Sequence, residues 1–434
     1  MAAPRATNEI IGPWEKPLTP VGLAAKYLGP SSGQSSINLY VLPPEYSIFS
    51  DDDLIHVIVI SAVRPEPTSA GQIILHRHLV DQPGITLEVY GTEPKRPSLS
   101  KLIRRAADRL GKTRLHRFVE DFWVLWAGRW MDSELPKTLP APGRTVVLTV
   151  AHGDGFMAAW RYARRHKLPL VAFFQDWWPD IACVHRPVRR LLERRFRQFY
   201  SAADVAICVC PGMRDALGPN RKANVLHDMP AKIDPLPVED CRPPGPFKIL
   251  YFGNLNDYGP MLGDVLEASL EYPEFLIQVR GNQPAWTEER KTTMRANSRW
   301  LDFAPRHELN AWLASADAFL IPMVFDPTIR RRMETSFPSK LIEFAQFGKP
   351  LVIWGPEYCS AIRWARVRDS ALCVTDSSPH TLMHELEALS INELMRLAGK
   401  SREASEREFS PVLIQQQFLA LLHRTVERPA SYSR

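Results

Sequence analysis

The chain has six cysteines, Cys183, Cys208, Cys210, Cys241, Cys359 and Cys373, but no C-x-x-C pair. A zinc site of the usual spacing is thereby disfavoured. Several of the cysteines fall in apolar runs and read as reduced structural thiols of a cytoplasmic protein. No apolar segment opens the chain, so no secretory signal is expected. No apolar run approaches the ~18 residues needed to span a bilayer, so the chain is expected to be soluble or to lie on a membrane. No G-x-G-x-x-G follows a candidate first strand, which argues against a dehydrogenase. Apart from the run Asp51-Asp52-Asp53 ahead of the first strand, no Asp-x-Asp pair is present to hold a metal between strands. No nucleic-acid recognition module is visible, and nucleic acid is not an expected partner.

What is present is ordinary for a globular protein: 434 residues, 45% apolar and 24% charged. That length exceeds one core, because chains divide into domains of roughly 100–200 residues. The net charge of +6 favours anionic partners, and by charge alone nucleic acid, nucleotide and membrane surface all qualify.

Residues 1–50 are rich in proline, glycine and serine and read as an irregular extension. At Leu54 the pattern changes to LIHVIVISAV, a short branched run that reads as a buried strand. Further runs follow at 85–90, 145–151, 169–174, 204–210 and 223–227, most of them separated by helical stretches. A proline-rich segment from 229 to 246 reads as a linker. The alternation then restarts at 247–252, 275–280, 300–304, 317–322, 350–354 and 371–375. A last amphipathic helix is expected over 410–428. The fold class is therefore α/β: an N-terminal domain over 51–228 and a C-terminal domain over 247–409, each a doubly wound parallel sheet of Rossmann type. Ligands of such sheets bind at the carboxyl ends of the strands, which here means the cleft between the two domains.

One stretch organises the C-terminal half: PSKLIEFAQFGKPLVIW, from Pro338 to Trp354. Ser336 offers an N-cap, Pro338 suits a first helical position, and Gly348 suits the left-handed residue that ends a helix. Ser339, Lys340 and Glu343 then lie near the helix start, and Lys340 and Glu343, three apart, share a side. A helix start with an ammonium beside it attracts a diphosphate, and a carboxylate one turn on can accept both hydroxyls of a ribose. Gly253 and Asn254 close a strand and open a turn whose N–H groups could meet donor phosphates. His152 ends the strand at 145–151 and faces the expected cleft, with Asp154 as an acceptor-side neighbour. Asp176 opens an aromatic–acidic cluster with Trp177, Trp178 and Asp180, a combination that suits sugar faces and hydroxyls. Gly71 in the SAGQ turn would let an acceptor approach the backbone. Two basic stretches, 101–131 and 186–200, combine arginine with aromatic residues and fit contact with anionic lipid. The alternative for such charge runs is a solvated face.

The order of these elements resembles the GT-B glycosyltransferases, and within them the retaining family 4 enzymes. SFPSKLIEFAQFGKPLVIWGPE is similar to that family's P-x-K-x-x-E-x-x-A-x-G-K-P stretch, YFGNLND to its first strand and glycine loop, and PLVAFFQDWWPD to its HD-x-W segment. The resemblance implies transfer of a sugar from a nucleotide-diphosphate sugar to an acceptor hydroxyl, on a glycan, a lipid-linked saccharide or a small glycoside. It implies retention, no metal and no cofactor beyond the nucleotide-sugar co-substrate. A place in polysaccharide biosynthesis follows, in the cytoplasm or at the inner face of the plasma membrane. His152, Asp176 and Glu334 would be the catalytic residues. Gly253, Asn254, Arg280, Pro338, Ser339, Lys340 and Glu343 would hold the donor, with Gly71 and Asp154 on the acceptor side. The last helix would cross back to the first domain. Three positions depart from the family. Glu334 and Glu343 stand one residue further apart than the family's Glu-x7-Glu, and Gln175 replaces the usual histidine. The loop GNLNDYGPM lacks the family's basic residues, which leaves Lys340 or Arg280 to supply charge. A nucleotide-sugar epimerase, a phosphorylase and a non-catalytic donor-binding scaffold remain alternatives, although no cofactor lysine for a phosphorylase is identifiable.

Overall fold

The computed structural model describes residues 54–67, 70–91, 115–137, 144–153, 155–231, 245–255 and 257–427. The expected extension over 1–50, most of the linker, Asp154 and the first part of the 101–131 stretch lie outside these residues.

Each apolar run becomes a strand. The first six are β1 (Ile55–Ile60), β2 (Ile85–Tyr90), β3 (Thr145–Val150), β4 (Leu170–Phe174), β5 (Val205–Cys208) and β6 (Ala223–Val225). The second six are β7 (Phe247–Gly253), β8 (Phe275–Gly281), β9 (Trp300–Leu301), β10 (Ala318–Pro322), β11 (Leu351–Trp354) and β12 (Leu372–Val374). They form two six-stranded sheets in the orders β2-β1-β3-β4-β5-β6 and β12-β11-β10-β7-β8-β9. All pairings are parallel. The order reverses between β1 and β3 in one sheet and between β7 and β10 in the other. A ligand of a doubly wound sheet sits at that reversal, outside the carboxyl ends.

The strands are apolar throughout because helices cover both faces of each sheet. Val57, Val59, Val146 and Leu148 turn to one face and pack on Ile414, Phe418 and Leu422 of the last helix, Pro411–Glu427. Alternate residues Ile58, Ile60 and Val147 turn to the other face, toward Phe156, Phe196 and Phe199. The C-terminal helix thus returns to the first sheet. His78 Nδ1 and Gln415 Oε1 lie 2.8 Å apart within that contact. At the β1–β3 reversal the backbones are pressed together, and a Cβ on Gly155 would come within 2.7 Å of the Ser61 Cα. Only glycine fits there.

The organising helix runs Ser339–Ala345 and stops before Gly348, whose φ of +61° is left-handed. Its N-cap is Pro338 rather than Ser336. Phe337 is buried against Phe409 and Trp364, and a residue before proline is held out of the helical region. Ser336 therefore ends the preceding helix, Arg330–Thr335, and its hydroxyl is free to point elsewhere.

Phe418 is fully buried, 4.5 Å from the His78 ring and 5.8 Å from Phe173, centroid to centroid. Phe418→Ala is expected to lower stability by about 3–5 kcal/mol, whereas Val412→Ala at the exposed start of the same helix should change it by less than about 0.5 kcal/mol. Urea midpoints of the two variants check this, and equal midpoints would contradict the packing.

Candidate functional site

The turn after β7 is tightly built. A Cβ on Gly253 would come within 2.6 Å of the Tyr251 hydroxyl, which donates to the Asn254 carbonyl at 3.2 Å. The Leu255 N–H donates to Asn282 Oδ1 at 2.7 Å, tying this turn to the one after β8. Asn254 Nδ2 lies 3.4 Å from Asp257 Oδ2, and the Arg332 guanidinium donates to the same oxygen at 2.9 Å. The glycine turn has no basic residue of its own, but the helix Arg330–Thr335 brings one to it.

Beside this turn stands Lys340, its Nζ 4.7 Å from the centre of the Phe252 ring and 2.6 Å from Glu343 Oε2. The other Glu343 oxygen accepts from Arg77 at 3.3 Å. Arg77 belongs to the first domain, on the helix Ala70–Leu79, and also donates to the Met229 carbonyl at 2.6 Å. Only 23% of the Glu343 side chain is exposed. Burial alone would raise its pKa. The Lys340 ammonium and the Arg77 guanidinium outweigh burial and hold the carboxyl below the ordinary range. A cavity of about 160 Å³ opens here, with Ile73 and Arg77 on one wall and Ser339, Lys340 and Glu343 on the other. Asp228 shares it. Burial, reinforced by the charges of Asp176 and Glu343 and opposed by Arg77, pushes its carboxyl up to about 7.

From the first sheet, His152 follows β3 and packs on Trp178 at 4.1 Å between ring centres. Burial lowers its pKa, partly offset by Asp176, and this favours the neutral imidazole. Asp176, just beyond β4, accepts at 2.9 Å from the Ser336 hydroxyl and so joins the two halves. Gly71 lies in the first turn of its helix beside Gln175, with a Cβ there falling 3.3 Å from Gln175 Oε1. Further along the same seam, Arg331 pairs with Glu193 at 3.2 Å and Asp180 at 3.5 Å, and Cys210 Sγ donates to the Thr335 carbonyl at 3.1 Å.

The structure thus brings Lys340, Glu343, Ser339 and the Gly253–Asn254 turn to one side of the seam, with His152 and Asp176 at the carboxyl edge of the other sheet. Pro338 caps the helix that carries Ser339. Two residues are engaged by other groups. The Arg280 guanidinium donates to the Asp302 carbonyl at 3.2 Å and lies 5.2 Å over Trp312. The Glu334 carboxylate accepts from Arg330 at 2.8 Å, with Arg363 at 4.0 Å. Three residues were missed in the sequence: Arg77, Asp228 and Arg332. Arg77 sits in a stretch that reads simply as helical, Asp228 precedes a proline-rich segment that reads as a linker, and Arg332 ends a run of three arginines.

No protein-family model and no curated protein matches the chain. Solved structures match its fold. The sucrose-phosphate synthase of Thermosynechococcus elongatus does so with a TM-score of 0.56 and 12% identity, covering 86% of this chain and 98% of that one. The E. coli trehalose-6-phosphate protein bound with UDP-2-fluoro glucose gives 0.52 and 12%, covering 85% and 98%. Anabaena HepE in complex with UDP gives 0.50 and 13%, covering 86% and 100%. The chain has the two-sheet GT-B fold.

Asp228 supplies a pH test. Its folded carboxyl, raised to about 7, keeps a proton that the unfolded chain releases near pH 4. The folded state is therefore favoured at low pH and loses that advantage as pH rises through about 7. Asp228→Asn removes the loss and should stabilise the protein relative to wild type by about 1–4 kcal/mol more at pH 8 than at pH 5. Thermal unfolding at both pH values measures the gap, and a pH-independent gap would contradict a buried, protonated Asp228.

Proposed function

We propose that the chain is a glycosyltransferase that takes a sugar from a nucleoside-diphosphate sugar and passes it to an acceptor hydroxyl. The observation that carries this reading is the Glu343 carboxylate, ionised within the seam between the sheets by Lys340 on one side and Arg77 on the other. A carboxylate fixed in this way accepts both hydroxyls of a ribose, and the Lys340 ammonium beside it meets a phosphate. The UDP complex of HepE and the UDP-2-fluoro glucose complex of the E. coli protein share the fold, which supports a uridine-type donor here.

In the proposed reaction the bond from the anomeric carbon to the diphosphate breaks and a bond to the acceptor oxygen forms on the same face. The acceptor proton passes to the departing phosphate. Lys340 and Arg332 stabilise the charge that develops on the diphosphate, the role for which no metal is invoked. His152, neutral and at the carboxyl edge of β3, orients the reacting sugar, and Asp176 accepts from an acceptor hydroxyl. Closure of the seam excludes water and limits hydrolysis. The family 4 pattern around Lys340 and Glu343 supports retention. We place the enzyme in the cytoplasm, in assembly of a polysaccharide or other glycoside. Burial pushes Cys208 up to about 12 and Cys210 and Cys359 up to about 11, and inert buried thiols suit a reducing compartment.

Titration calorimetry with UDP tests the pocket. Lys340→Ala and Glu343→Ala are each expected to weaken binding at least tenfold, since a charge-assisted hydrogen bond contributes about 1.5–3 kcal/mol. Two variants that bind like wild type would overturn the assignment. Product analysis with UDP-sugars then separates transfer from an epimerase, a phosphorylase or a donor-binding scaffold, because only a transferase yields a new glycoside.

A further inference from the structure

Outside the seam, one surface of the first domain has an unusual make-up. The helix Arg186–Ala202 buries Leu192, Phe196, Phe199 and Tyr200 in the core. Its apolar side is thus occupied and cannot enter a membrane. The opposite side presents Arg186, Arg190 and Arg194, spaced four apart and exposed. Among the described residues no carboxylate lies within ion-pair distance of any of the three, although the same helix pairs Arg197 with Glu193 at 3.3 Å. These three arginines face outward with uncompensated charge.

Apolar groups border that stripe. Phe118, on the helix His116–Glu134, is 63% exposed and packs against His185, the residue before Arg186, with ring centres 4.6 Å apart and the rings tilted. Asp121 fixes the contact, taking a hydrogen bond from the His185 N–H at 2.8 Å and lying 2.6 Å from its Nδ1. Leu191, the residue after Arg190, is also exposed, as is Ile181 just before the helix. Glu120 lies two positions from Phe118, on the far side of its helix. Exposed aromatic and aliphatic groups beside unpaired arginines match the acyl boundary and the charge of an anionic bilayer, which a purely solvated face does not require.

We propose that this surface docks the protein on an anionic lipid bilayer, with Arg186, Arg190 and Arg194 on the headgroups and Phe118 inserted at the boundary. The placement has a consequence for the site. A helix joining neighbouring parallel strands runs antiparallel to them, so Arg186–Ala202, which links β4 to β5, begins at the carboxyl edge. Trp178, eight positions before Arg186, touches His152. Docking therefore puts the mouth of the seam beside the lipid headgroups, where a lipid-linked acceptor would be presented. The surface stands on its own features and rests on the proposed function only for the acceptor it would serve.

Co-sedimentation of the full chain with vesicles of phosphatidylcholine, alone or with one-third phosphatidylglycerol, tests the proposal without any donor present. Binding is expected only to the anionic vesicles and should weaken with salt. Near such a surface each arginine is worth roughly fivefold, so Arg190→Gln should lose about fivefold and the Arg186→Gln/Arg190→Gln/Arg194→Gln variant on the order of a hundredfold. Phe118→Ser should weaken binding further, while UDP titration and melting temperature of the arginine variants stay at wild-type values. No binding to anionic vesicles, equal binding by Arg190→Gln and the triple variant, or tighter binding to a short DNA duplex at the same ionic strength would each overturn it. A chain that docks but fails to bind UDP would leave the surface standing and remove the proposed donor site instead.

Discussion

Partial burial works against the charge of Glu343, and the fold supplies a cation from each side to hold it. Lys340 comes from one turn earlier on the same helix, and Arg77 comes from a helix of the other domain. A partly buried ion pair that loses one partner leaves a charge short of solvation, which costs stability. The relative placement of the two sheets and the ionisation of the site are therefore one constraint. Asp228 shows the other side of it. There burial, reinforced by the charges of Asp176 and Glu343 and only partly opposed by that of Arg77, pushes the carboxyl up to about 7. The seam keeps one carboxylate charged and one neutral within the same small cavity.

Much of the architecture was legible because two-sided burial leaves a plain mark. A strand covered by helices on both faces must be apolar at every position, and each expected run became a strand, with ends shifted by at most a few residues. WLDFA shrank most in proportion, to Trp300–Leu301, where the following residues are largely exposed. Strand order was not legible, since the apolar runs say nothing of neighbours. That order places the reversals between β1 and β3 and between β7 and β10, and so places His152 and the Gly253 turn at the two ligand positions.

The site was legible in its local part and not in its long-range part. Lys340 and Glu343 are three apart on one helix, and spacing alone predicts their contact. Arg77 lies 266 residues from Glu343, and nothing near it marks its partner. Charge expected from Arg280 is taken up by the Asp302 carbonyl and Trp312, while Arg332, hidden in a triplet of arginines, reaches the glycine turn through Asp257. Ser336 has a cap-forming side chain in the right place by sequence, but the proline that follows Phe337 starts the helix too late, and the hydroxyl bridges to Asp176 instead. The arginine-rich helix was legible as amphipathic, but which face was free required the packing: its apolar face belongs to the core.

A pocket whose cations come from both sheets should prefer the ligand that carries both a ribose and a diphosphate. Thermal unfolding of the full chain against a panel of nucleoside diphosphates, nucleoside monophosphates and free nucleosides measures this directly, because a ligand bound only to the folded state raises its stability with the logarithm of its concentration relative to Kd. A nucleoside diphosphate should give the largest rise in melting temperature, its monophosphate a clearly smaller one, and the free nucleoside the smallest. If no diphosphate moves the melting temperature, or if monophosphate and diphosphate move it equally, the seam around Glu343 does not hold a nucleotide donor.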